Sequence, residues 1–409
     1  MRGPNRAGLP ASRRSTGFPL FLPTTLPGVS GRFTSGTMKR TTKRLLVDLS
    51  LTGQTEAGSA VYAWEICHRL MRQAMPMQVL PLTSPFRVLG RTGIRRKLNG
   101  LLRDLLWRPV LAGLEARPDD CFLFTNTFVP RKFWRRKFGV VILDLGAWHD
   151  RALLSWRGRL GTRTLPAVLA HAAHIFAISE YTAQDVARAF AIPRHRITLA
   201  PCGLSEAFLD PPAPLATINT VPLPPRYLLH VGSLEPKKNI PFLLQVHAQL
   251  RRQDAPPTPQ GDARPPCKLV LTGGESWHDA PLRQAIAEHP YAEDIQILGR
   301  VAPEDLPALY RQASALVFPS LLEGFGLPVI EALSQGTPAL VQANSSLTQF
   351  GAFGATVLDD FEPGAWVRGI QEILASKTRI SEKHKQAVRE TFSWDRTAAI
   401  IRRTMLDIM

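Results

Sequence analysis

The chain is poor in several things, and each scarcity closes off a class of protein. Cysteine appears four times, at Cys67, Cys121, Cys202 and Cys267, scattered and never as a CxxC pair. That argues against a disulfide framework or a zinc site and fits a reducing cytoplasm. No apolar run approaches the roughly 20 residues that a membrane span needs. Acid is short: 33 Asp and Glu stand against 50 Lys and Arg, leaving +17. Such a field favours polyanions, either nucleic acid or an anionic membrane face. The devices that normally accompany nucleic-acid binding are missing too. There is no RNP-like aromatic strand, helix-turn-helix pattern or zinc finger, so nucleic acid is the less favoured partner.

What is present is globular. Hydrophobic residues make up 44% and charged residues 20%. A chain of 409 residues exceeds one ordinary core, so two domains are expected. Residues 1–37 contain no acid and are rich in Arg, Ser, Gly and Pro. They read as a transit-like leader, a disordered extension, or the product of a start assigned ahead of Met38. Fold reasoning begins after them.

Arg44–Ser50 reads as a buried strand, and an amphipathic helix follows through Leu70. Gly58 then falls near a helix N-terminus after a strand, a weak phosphate-loop signal. From Arg87 to Arg108 cations alternate with Leu, Ile and Trp, and a second basic cluster runs from Arg131 to Lys137. The segment Arg87–Lys137 reads as a docking surface for anionic lipid, or as a solvated basic face. Strands at Gly139–Asp144, His174–Ser179 and Ile197–Ala200 alternate with helices. That pattern implies βαβ units and a mainly parallel sheet. A proline-dense stretch over 209–225 is the best domain boundary. A second alternating run follows, with strands at Tyr227–Gly232, Lys268–Gly273, Ile295–Gly299, Ala315–Phe318 and Ala339–Val341, and a helix over Ile240–Gln253. Pro256–Pro266 reads as a surface insertion. The expected fold class is α/β, with two doubly wound Rossmann-like domains facing an interdomain cleft. The expected domains are 38–213, a Pro-rich linker over 214–225, 226–390, and a C-terminal helix over 391–409 that could cross back to the first domain.

The most informative stretch is Ser320–Glu331. A strand, a turn bearing Gly324 and Gly326, and Pro328 at a helix start make an anion site, because free backbone N–H groups point outward there. Gly336 can close that helix. Glu323 before the turn and Glu331, expected in the first helical turn, are acceptors for diols. Donors for phosphate beside acceptors for hydroxyls suit a sugar nucleotide; the plain alternative is a core strand–loop–helix with two solvated glutamates. Ligands of doubly wound sheets bind beyond the carboxyl ends of the strands. Gly58, Asp144, Gly232–Lys238, Gly273–Gly274, Gly299–Arg300 and Glu323–Glu331 all fall there.

These residues resemble glycosyltransferase family 4, the retaining enzymes of the GT-B fold. The likeness runs from about Leu45 to the final helix and is strongest over 227–340. His230–Asn239, Leu298–Val301 with Leu306–Tyr310, and Glu323-x7-Glu331 carry it. The resemblance implies a catalytic role for Glu323, on the transferred sugar, and for Lys238, on the donor diphosphate, with Lys237 as helper. It implies donor contacts from Gly58, Gly232, Ser233, Arg300, Gly324, Phe325, Gly326, Leu327 and Glu331, the last on the ribose. Asp144 is the acceptor-side candidate, and no metal or other cofactor is implied. The expected partners are a nucleotide-sugar donor and a glycan or lipid-linked acceptor, with the protein in the cytoplasm or at the inner face of the plasma membrane. Three departures stand out. Leu143 occupies the place of a histidine that approaches the sugar in many relatives, and His149–Asp150 comes too late to replace it. Ser345–Gln349 stands where a Pro-Glu pair is usual, and Ser233 for an arginine found in some relatives. Two other readings stay open: a non-catalytic or regulatory module of this fold or a nucleic-acid-associated protein, and a sugar-nucleotide epimerase.

Overall fold

The computed structural model describes residues 43–409 apart from 51–57, 74–76, 84–101, 103–105, 107–115, 151–155, 211–212, 254–265, 275–278 and 377, and apart from the side chains of 156–161 and 279. The leader 1–37, most of Arg87–Arg108 and most of the 256–266 insertion lie outside these residues.

Two six-stranded parallel sheets dominate. The first comprises β1 (Lys43–Asp48), β2 (Met77–Leu82), β3 (Cys121–Phe124), β4 (Phe138–Ile142), β5 (His174–Ala177) and β6 (Ile197–Leu199), in the order β2-β1-β3-β4-β5-β6. The second comprises β9 (Tyr227–Val231), β10 (Lys268–Thr272), β11 (Ile295–Gly299), β12 (Ala315–Phe318), β13 (Ala339–Gln342) and β14 (Thr356–Leu358), in the order β11-β10-β9-β12-β13-β14. Their strands are almost wholly apolar, as sheets covered on both faces require; Cys121–Phe124 and Ala315–Phe318 are buried at every position. In each sheet the winding reverses beside the first strand. The switch points therefore lie between β1 and β3, and between β9 and β12, where open α/β sheets bind ligands.

The stretch between the sheets is not wholly irregular. β7 (Thr217–Ile218) and β8 (Val221–Pro222) form a two-residue hairpin. Its turn, Asn219–Thr220, has φ of +49° and +68°, the primed geometry that suits strand twist. The last helix starts at Trp394, because the Ser393 hydroxyl caps it by accepting from the Arg396 amide. This helix (Trp394–Ile408) returns to the first sheet. Trp394 meets Tyr62 edge-on at 5.4 Å, on α1 (Gly58–Arg72). Thr397 Oγ1 donates to the Pro201 carbonyl at 2.7 Å, and Met405 packs beneath Gly139 and Phe176. Each apolar side chain buried in this way contributes on the order of 1.5–3 kcal/mol.

Candidate donor-binding site

The second sheet's switch point gathers the two residues expected to do the chemistry. After β9 the chain turns at Gly232 and runs through a short helical turn, Pro236–Lys238. After β12 it runs through Ser320–Gly326 into α8 (Leu327–Ser334), counting Gly146–His149 as α2 and the later helices in order. Lys238 Nζ and Glu323 Oε1 meet at 2.5 Å, with only 9% and 11% of the side chains exposed. Gly232 makes room for the lysine, since a Cβ there would stand 3.2 Å from Lys238 Cε. The ammonium also lies 4.9 Å from the centre of the Phe318 ring, a cation–π contact. Burial by itself would push the Glu323 carboxyl up. Lys238 and Lys237 outweigh it and hold it below the usual range, so Glu323 is ionised at neutral pH. Burial likewise opposes the charge on Lys237, but Asp144, Glu323 and Glu235 more than offset it and raise its pKa. Asp144 of the first domain thus faces Lys237 of the second.

Two helix N-termini meet at this place. Gly58 opens α1, and a Cβ there would lie 3.7 Å from Leu327 Cδ1 at the start of α8. Among the described residues nothing takes up the backbone N–H groups of Gly324, Phe325, Gly326 or Leu327. Such orphan amides, with the helix dipole behind them, attract negative charge. The loop is held by its carbonyls instead. Ser346 Oγ donates to the carbonyls of Glu323 and Phe325, both at 2.9 Å, and Asn344 Nδ2 to those of Ser320 and Leu321 at 3.0 and 2.7 Å. The Phe325 side chain points into the core, against Phe350 and Phe392. Gly326, with φ of +105°, caps the helix in a conformation that other residues rarely adopt.

Across the cleft the first domain presents backbone. A Cβ on Gly324 would fall 1.9 Å from the Leu143 carbonyl oxygen and 3.0 Å from Asp144 Cβ. Asp144 Oδ1 accepts from the Gly146 amide at 3.0 Å. Thr182 Oγ1, on α4 (Glu180–Phe190), lies 3.4 Å from the carbonyl oxygens of both Leu143 and Gly324. His149 is exposed and bonded to Asp185 at 2.9 Å.

The residues expected at the ribose and the base follow. Glu331 belongs to the second turn of α8 rather than the first, because the helix begins at Leu327, one residue ahead of Pro328. Its carboxyl accepts from the Tyr310 hydroxyl at 2.7 Å, yet burial still raises it to about 7. The Arg300 guanidinium lies over Gly274, 3.1 Å from where a Cβ would be. Ser233 is an exposed rim residue whose hydroxyl donates to Glu235 at 2.9 Å. Among the described residues no group of three or more His, Cys, Asp or Glu side chains is placed to hold a metal ion.

The sequence assigns some neighbours no role of their own. His230 is 0% exposed; its Nδ1 donates to the Val317 carbonyl at 3.0 Å, while its Nε2 has no partner. Burial lowers it to about 4, so the ring is neutral. Asn344, Ser346 and Thr182 are ordinary loop and cap residues in sequence, and only the fold brings them to the donor loop.

Residues 216–393 match the family model described as Glycosyl transferases group 1. The chain is 30% identical over 244 residues to the O-antigen chain mannosyltransferase B of Escherichia coli, covering 58% of this chain and 62% of that protein. It is 30% identical over 175 residues to a D-inositol 3-phosphate glycosyltransferase of Salinispora tropica, covering 41% and 35%. The chain thus spans less than two thirds of the length of these curated relatives. Among solved structures, it superposes on a sucrose-phosphate synthase of Thermosynechococcus elongatus with a TM-score of 0.64, at 16% identity, over 90% of this chain and 99% of that one. HepE of Anabaena, solved with UDP and glucose, gives 0.62 at 15% identity, over 90% and 100%. Residues 216–393 are thus similar to the glycosyl transferases group 1 family, and the two six-stranded parallel sheets make the GT-B fold.

Proposed function

We propose that the chain is a retaining, metal-independent glycosyltransferase. It moves a sugar from a GDP- or UDP-linked donor to a hydroxyl of a glycan or lipid-linked saccharide in cell-envelope polysaccharide biosynthesis. The buried Lys238–Glu323 pair, set at a switch point between two facing helix N-termini, is the observation that carries this reading. Lys238 and Lys237 take the donor diphosphate together with the amides of Gly324–Leu327, and Gly58 approaches the same phosphates from the other domain. Glu323 accepts from hydroxyls of the transferred sugar, and Glu331 from the ribose diol. The bond from the anomeric carbon to the diphosphate breaks, and a bond to the acceptor oxygen forms on the same face. The acceptor's proton passes to the departing phosphate. The charge that develops on the leaving group falls on the lysines and the orphan amides, which are fixed beforehand. No protein nucleophile is required.

The membrane contact proposed for Arg87–Lys137 rests on the exposed Arg131, Lys132, Arg135 and Lys137. They directly precede β4 and so lie at the amino ends of the first sheet's strands, whereas the cleft lies at the carboxyl ends. A bilayer on that face would leave the cleft turned away from it.

Donor consumption by Lys238→Ala and Glu323→Ala tests the activity. A fall of about 10²–10³ in each is expected, as for removal of a single group that stabilises developing charge. Turnover at the wild-type rate in both variants would end this reading.

A further inference from the structure

The Glu331 carboxyl is bonded at one oxygen and left open at the other. Tyr310 Oη donates to Oε2 at 2.7 Å, and no other hydrogen bond reaches this carboxyl among the described residues. Tyr310 is 0% exposed and tightly set on α7 (Leu306–Gln312). Its carbonyl accepts from Thr337 Oγ1 at 2.6 Å and from the Ala313 amide at 3.0 Å, and its ring meets Phe208 at 5.8 Å. The Tyr227 hydroxyl anchors the preceding residue through the Leu309 carbonyl at 2.7 Å. A phenol held so firmly has one direction for its O–H, and that direction is Glu331.

We propose that Tyr310 is a positioning residue for the nucleotide: its hydroxyl fixes one oxygen of Glu331 and leaves the other to a vicinal diol of the donor's ribose. This rests on Glu331 being the ribose acceptor. Packing alone would be met by phenylalanine, which fills the same volume without placing an O–H on a buried acid. The bond also bears on protonation. Burial raises Glu331 to about 7, and every O–H donor on it favours the charged form. The other ionisable groups nearby do not supply that charge balance. Cys202, after β6, and Tyr62, on α1, are both pushed up by burial and stay neutral, and Arg389 donates to the Ser334 carbonyl at the far end of α8. Tyr310 therefore keeps Glu331 closer to the carboxylate that a diol needs.

The test compares UDP and GDP with their 2′,3′-dideoxy counterparts by calorimetry at pH 6, 7 and 8. Wild type is expected to favour the ribonucleotide by about tenfold at pH 8 and less at pH 6, as befits two hydrogen bonds to a charged group. In Tyr310→Phe the preference at pH 7 narrows severalfold, and its pH midpoint moves upward, while kcat at saturating donor stays within about threefold. 3-Fluorotyrosine at 310 keeps the packing and donates more strongly, so it moves the midpoint downward and guards against a folding defect in the phenylalanine variant. Wild-type preference and midpoint in both substitutions would overturn the proposal. Glu331→Gln separates the two readings. If it leaves the ribose preference intact, the ribose role of Glu331 fails. If it abolishes the preference while the Tyr310 substitutions change nothing, Tyr310 alone fails.

Discussion

The two walls of the cleft are built on the same plan and do different work. The second domain brings charge: Lys237, Lys238, Glu323 and Glu331 stand beyond β9 and β12, and each has a named partner. The first domain brings mainly backbone: the Leu143 carbonyl against Gly324, a helix N-terminus at Gly58, and the Thr182 hydroxyl. Among the described residues Asp144 is a carboxylate at this contact, and it faces Lys237. A parallel α/β sheet offers both kinds of group at the same edge. A wall rich in charge can hold a diphosphate and select hydroxyls, whereas a wall of backbone offers only a helix N-terminus to the phosphates. Under the proposed function, donor recognition would rest chiefly on the charged groups of the second domain.

The largest effect that would break the comparison comes from splitting the ion pair. Lys238→Met leaves Glu323 buried without its main partner. That should lower stability by about 3–5 kcal/mol, read from denaturant unfolding, on top of the loss of turnover. A smaller stability loss in Lys238→Met than in Asp144→Asn would place the important charge on the other wall. Next comes protonation of Glu331. A carboxyl raised to about 7 is protonated below that pH, and a diol requires the carboxylate. Donor affinity should therefore rise about tenfold from pH 6 to pH 8. The sign for folding is opposite. The folded state holds this proton longer than the unfolded chain does, so stability from this group is present below about 4.5 and is lost as pH rises towards 7. Glu331→Gln should flatten the binding profile. Third is Gly324→Ala, whose new methyl meets the Leu143 carbonyl. Overpacking of this kind costs about 1–3 kcal/mol and should lower turnover by opening the two walls. The smallest effect belongs to Thr182→Val. Its hydroxyl lies 3.4 Å from both carbonyls, and less than about 1 kcal/mol is expected in a melt.

Much of this was legible in the sequence, and the reason is locality. The helix Ile240–Gln253 and the donor loop announce themselves through neighbours in the chain: an apolar strand, two glycines, a proline at a helix start. Lys238 and Glu323 could each be named through the family resemblance, but their pairing shows only in the fold. β2 and β3 gave no such signal. One carries Pro81 in its interior, and the other is four apolar residues with no alternation to set against a helix. α8 starts one residue ahead of Pro328 because Gly326 supplies the cap, and that puts Glu331 just past the first turn. Long-range facts were invisible. Nothing near Gly324 in the chain says that it rests on Leu143, and His230 reads as one more member of an apolar strand. The departure at Leu143 was visible, but its meaning depends on a wall that is mostly backbone.

Calorimetric titration of UDP- and GDP-linked sugars into wild type and Lys238→Ala tests the central claim most directly, since it reads the donor wall without needing an acceptor. Binding of at least one donor by the wild type, weakened by about a hundredfold or more in Lys238→Ala and little changed in Asp144→Asn, is the predicted result. Equal affinity in wild type and Lys238→Ala would contradict it.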